Sequence, residues 1–159
     1  MKGKISLFFV LLLIAVAASA QPKSYRYVDA SDLNVIGKVL PTSGPFTRLD
    51  TSVYKFNDST IESYACHSTG LAVLFRTDSR SISARWVTSS SNAGANLTAI
   101  VSKGLDLYIR EGDKWVFAGV GNPDMKKEPH DVHQRLIVGD MADGVKECLL
   151  YLPLFDRVD

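Results

Sequence analysis

The chain has 159 residues, of which 46% are hydrophobic and 22% charged, with a formal net charge of +1. That length and balance fit one domain with a hydrophobic core. They supply no acidic or basic excess of the kind that marks binding to nucleic acid or an anionic surface.

Residues 1–20 read as a secretory signal peptide. Lys2 and Lys4 precede an uncharged apolar run, Ile5 to Ala18, and small residues at Ala18 to Ala20 lead into Gln21. The run is shorter than the ~20 residues of a membrane helix, and no Cys follows it in the manner of a bacterial lipoprotein signal. The expected product is secreted or periplasmic, cleaved after Ala20, with no membrane segment remaining; the other reading is an uncleaved N-terminal anchor. Cleavage removes two of the 18 Lys and Arg and none of the 17 acids, leaving a net charge of −1. After the signal the basic residues are scattered, with Lys126-Lys127 their one adjacent pair.

Residues 21–44 form an N-terminal arm with short extended pieces, broken by turn signals at Asp32, Gly37, Pro41 and Gly44. From Val53 onward the chain reads as β. The runs GLAVLFRT (70–77), ISARWVT (82–88), LDLYIR (105–110), KWVFAGV (114–120), HQRLIVG (133–139) and ECLLYLP (147–153) are strand-length and rich in β-branched and aromatic residues. Alternation places Leu71, Val73 and Phe75 on one face, and likewise Ile82, Ala84 and Trp86. It groups Leu105, Leu107 and Ile109 against Asp106, Tyr108 and Arg110, and Cys148, Leu150 and Leu152 against Leu149 and Tyr151. Gly112-Asp113 supplies a hairpin turn, while 89–96 and 121–131 read as exposed loops. Strands with one clean apolar face predict an all-β fold, a two-sheet antiparallel sandwich.

Candidate chemistry is sparse. Cys66 and Cys148 would enter an oxidising compartment, where a disulfide is allowed. Two small buried residues is the other reading, since pairing geometry is not legible in sequence. His130 and His133 are three apart, which in a strand points them to opposite faces, and His67 is remote, so no metal site is expected. No Gly-x-Ser-x-Gly elbow is present, and Cys66 and His67, being adjacent, point apart in a strand. Trp86, Tyr108, Trp115 and Tyr151 could form a stacking platform for sugar, with core or hairpin packing as the alternative. Asp106 is expected to accept hydrogen bonds from a neighbouring strand or loop, with Arg76 or Arg85 as donors.

The segment GLDLYIR (104–110) resembles the Gly-x-Asp-Leu-Tyr signature of the GxDLY family, the N-terminal β-sandwich domain of secreted SGNH or GDSL-type esterases of Bacteroidetes. STGLAVLFRTDSRSISARW (68–86) is similar to that family's strand pair, GDKWVFAG (112–119) to its Lys-Trp hairpin, and LLYLPLFDRVD (149–159) to its Leu-Tyr-Leu-Pro-Leu-Tyr segment. Together they cover about residues 45–159 in the same order, the expected extent of the sandwich domain.

The resemblance implies a jelly-roll-like sandwich joined to an SGNH-type catalytic domain that holds the Ser, the oxyanion Gly and Asn, and the Asp-x-x-His pair. None of those blocks occurs in this sequence, and the sandwich's closing strand is expected just past Val158. The expectation is therefore a non-catalytic accessory domain of a carbohydrate-directed esterase, docking to or lining the cleft of its catalytic partner. The alternative is a free-standing carbohydrate-binding module. No cofactor or metal is implied. Gly104, Asp106, Leu107 and Tyr108 are the signature residues with a structural or docking role, and Trp86 and Trp115 are candidate carbohydrate or interface contacts.

Overall fold

A computed structural model describes residues 25–92, 94–126 and 129–159. The expected signal peptide lies outside the described residues.

Among the described residues, seven strands follow in chain order: β1 (Asn34–Ile36), β2 (Ala72–Thr77), β3 (Ile82–Val87), β4 (Leu105–Glu111), β5 (Lys114–Gly121), β6 (Val132–Val138) and β7 (Lys146–Tyr151). They form a five-stranded sheet in the order β1-β2-β7-β4-β5 and a two-stranded sheet of β3 and β6, with every pairing antiparallel. The six strands expected from alternation are all present, and the sheets pack as an all-β sandwich. The arm contributes β1, which extends the larger sheet by pairing with β2.

Two short helices depart from the expectation of β structure after Val53. The first, α1 (Ser59–Ala65), starts because the Asp58 carboxylate accepts from the Thr60 N–H at 2.7 Å and the Ile61 N–H at 3.3 Å. The second, α2 (Ala99–Lys103), is capped by Thr98 and ends at Gly104. Both are too short to show a 3.6-residue apolar period.

The core lies between the sheets. Val73, Leu105, Leu107 and Cys148 from the larger sheet, with Leu71 just before β2, meet Trp86 and Ile137 from the smaller one, and Ala30 and Leu33 of the arm and Phe46 after it pack alongside. Cys66 and Cys148 are both free thiols rather than a disulfide, Cys148 buried and Cys66 half-buried. Burial pushes the Cys148 thiol pKa up.

Past β7 the chain forms a strap over residues 152–159. It is stitched down by Leu152 N–H to Leu71 C=O, Ser68 N–H to Asp156 C=O and Phe155 N–H to Ser102 C=O. The Asp159 N–H then reaches the Val87 carbonyl at 3.2 Å. The strap joins the end of the larger sheet to α2 and to β3.

Candidate functional site

Register fixes which side chains share the outer face of the larger sheet, because directly paired residues point the same way. One row runs Ile36, Ala72, Tyr151, Asp106 and Val120, the next Asn34, Leu74, Leu149, Tyr108 and Phe117, and the third Arg76, Glu147, Arg110 and Trp115. The face is thus aromatic and apolar near α2 and charged at the far end.

At the apolar end lies an open depression of about 490 Å³. Asp106 and Tyr108 of β4, Phe117 and Val120 of β5 and Tyr151 of β7 form its floor, and Ile100 and Val101 of α2 with Leu154 of the strap form its rim. Tyr108 stands between two edge-to-face neighbours, Phe117 at 5.7 Å and Tyr151 at 5.8 Å between ring centroids. Phe117 is 56% exposed, and Leu154 and Tyr151 are also open to solvent.

The four signature residues take four distinct tasks here. A Cβ at Gly104 would lie 2.2 Å from the Ile100 carbonyl oxygen, so only glycine lets β4 leave α2 at this angle. Asp106 is half-buried on the floor. Leu107 points to the opposite face and is fully buried in the core. Tyr108 centres the aromatic trio.

Asp106 does not pair with Arg76 or Arg85, as the sequence had suggested. Its carboxylate makes no hydrogen bond or ion pair among the described residues. Arg76 is two strands away in the third row, on the order of 15 Å by strand spacing, and Arg85 belongs to the other sheet.

The tryptophans do not join Tyr108 and Tyr151. Trp86 is a core residue whose indole N–H donates to the Lys103 carbonyl at 2.9 Å, so it cannot contact a ligand. Trp115 is at the charged end, with the Arg110 guanidinium 5.6 Å from its ring centre. Phe117, Leu154 and Ile100 were not singled out from sequence. The alternation of Phe117 with Trp115 was the available signal.

Beneath α2 lies a buried polar cluster. Lys103 Nζ donates to Asp156 Oδ2 at 2.6 Å, to the Ser89 carbonyl at 2.5 Å and to Thr88 Oγ1 at 3.2 Å. Asp156 also accepts from the Ser89 N–H, the Ser89 hydroxyl and the Arg157 N–H. The segment read as an exposed loop from residue 89 therefore begins on a structural junction.

Thr88 Oγ1 lies 3.0 Å from His133 Nε2, a hydroxyl–imidazole pair of the kind nucleophilic catalysis uses. Both side chains are shut away from solvent, and His133 Nδ1 has no orienting partner. Burial and then the Lys103 charge depress the His133 pKa. The pair is enclosed within the fold. Among the described residues no group of three His, Cys, Asp or Glu side chains could hold a metal ion. No helix among them is long and apolar enough to cross a membrane.

The pattern that defines the GxDLY family, described as the N-terminus of SGNH-hydrolase-type esterases, matches residues 25–159. The chain belongs to the GxDLY family. No curated protein matches it. The GxDLY fold is also found in the crystal structure of a protein described as a GDSL-like lipase from Bacteroides ovatus, with 39% sequence identity and a TM-score of 0.78. The match takes in 84% of this chain and 38% of the Bacteroides protein, so the GxDLY chain spans well under half of that relative's length.

Proposed function

We propose that this chain is the non-catalytic N-terminal accessory domain of a secreted, carbohydrate-directed SGNH-type esterase, and that its outer sheet face packs against the hydrolase domain. The carrying observation is the concentration of exposed apolar side chains around the signature: Phe117, Tyr151, Leu154, Ile100 and Val101 ring Asp106 and Tyr108. A contiguous apolar patch of this kind marks an interaction surface, and covering it contributes about 25 cal/mol per Å². The length of the Bacteroides relative beyond the matched region supports a partner in cis. The basic, apolar and small-residue order of the leader supports secretion.

A chimera tests this reading. Residues 25–159 replace the matched region of the Bacteroides protein, and unfolding is followed by calorimetry. One cooperative transition is expected with the native face, and two separate transitions with Phe117→Ser and Leu154→Ser. A thermogram unchanged by those substitutions would count against docking through this face.

The second reading, a carbohydrate-binding module, draws on the exposed Phe117 and Tyr151 beside Tyr108. Their edge-to-face arrangement offers no flat platform of coplanar rings. Glycan-array binding by the chain, abolished by Phe117→Ala, would favour this reading over the first.

A further inference from the structure

We propose that the depression on the outer sheet face receives an arginine side chain of the docking partner, its guanidinium held by the Asp106 carboxylate. This rests on the docking reading above and names the charged element of that contact.

Asp106 is paired across β4 with Tyr151 on one side and Val120 on the other, so apolar neighbours flank it along its row. Ile100 and Leu154 stand over it at the rim. It is already half-buried, and its carboxylate has no hydrogen-bond or ion-pair partner among the described residues. Two other carboxylates illustrate the contrast: buried Asp156 pairs with Lys103, and half-buried Asp124 with Arg135. Water now solvates Asp106 through the open mouth of the depression.

A partner that covers the apolar rim removes that water. An unpaired carboxylate would then be sealed in an apolar ring, which strongly opposes association. The covering surface must therefore bring positive charge or donors to this point. Arg76 and Arg110 sit at the far end of the face and Arg85 on the other sheet, so none of these three supplies it.

Guanidinium suits the depression better than ammonium. Its planar fork can bond both carboxylate oxygens. Tyr108 and Tyr151 stand at 79° to one another, so one ring presents its face where the other presents its edge. A flat cation beside Asp106 can lie on such a face.

The test is a titration of the chain with phenylguanidinium and with phenylurea, its neutral shape match, followed by backbone amide shifts. Phenylguanidinium is expected to perturb Asp106, Tyr108 and Tyr151 with an affinity about tenfold above that of phenylurea, and Asp106→Asn to erase the difference. Equal binding of the two probes, perturbations centred on other carboxylates, or a preference that survives Asp106→Asn would overturn the proposal. The chimera separates this failure from failure of docking itself. If Phe117→Ser uncouples the domains and Asp106→Asn does not, the arginine contact is wrong and docking stands. If neither substitution uncouples them, docking falls as well.

Discussion

Lys103 Nζ lies 2.6 Å from Asp156 Oδ2, and their side chains are 0% and 5% exposed. The pair ties the last residue of α2, immediately before the signature, to the strap that carries Leu154. It therefore holds two parts of the depression's rim together. Removing one partner of a buried pair leaves the other charge stranded. Lys103→Met should destabilise the chain by about 3–5 kcal/mol, read from urea unfolding. Lys103→Met combined with Asp156→Leu should cost clearly less than the two single substitutions summed. Additive losses would mean the pair is not coupled.

His133 gives the fold a pH dependence of defined sign. Its folded pKa is depressed by burial first and by the Lys103 charge second, against the weaker opposing pull of Asp131, Asp156 and Asp124. An unfolded His protonates near pH 6.5 while the folded one resists. The unfolded state then binds more protons, so stability is lost as pH falls below about 6.5. His67, also depressed mainly by burial, adds in the same direction. His133→Gln should flatten the stability profile between about pH 6.5 and pH 5, measured by denaturant midpoints.

Gly104→Ala should cost about 1–3 kcal/mol, because the added Cβ meets the Ile100 backbone carbonyl, which has no flexible end to move aside. Gly112→Ala is the control. It has φ of +58° in the hairpin turn and open space around its Cβ, so its loss reflects left-handed backbone strain alone, about 1–2 kcal/mol. The two differ in kind as well: Gly104→Ala should perturb amide shifts in α2 and β4, and Gly112→Ala only those of the turn.

Neighbouring residues of the signature should separate cleanly. Leu107→Ala opens a cavity in the core and should cost about 2–5 kcal/mol. Asp106→Asn, which breaks no contact within the described chain, should shift stability by no more than about 0.5 kcal/mol. A large loss from Asp106→Asn would show that the carboxylate has a structural partner after all.

The strands were legible because period-two alternation survives in each of them, from Leu71–Phe75 to Cys148–Leu152, and because only one face of each sheet is in the core. The helices were not, since seven and five residues give less than two full turns. Asp58 ahead of Ser59 was a cap signal that the surrounding polar residues masked. Trp86 and Trp115 look alike in sequence, each in an alternating strand. Sheet packing alone turns Trp86 inward beneath Gly121 and leaves Trp115 beside Arg110. The depression was hidden for a related reason: it gathers Ile100, Asp106, Phe117, Tyr151 and Leu154 from five elements of the fold. Lys103 and Asp156 are 53 positions apart, and no local pattern announces such a pair.

The most direct test of the account is hydroxyl-radical footprinting of the chimera with the Bacteroides hydrolase region, compared with the isolated chain. Phe117, Tyr151 and Leu154 are exposed in the chain, as are Tyr27 and Tyr54, which lie away from the depression. The account predicts that the first three lose oxidation in the chimera while Tyr27 and Tyr54 keep theirs. Unchanged oxidation of Phe117, Tyr151 and Leu154 would contradict it.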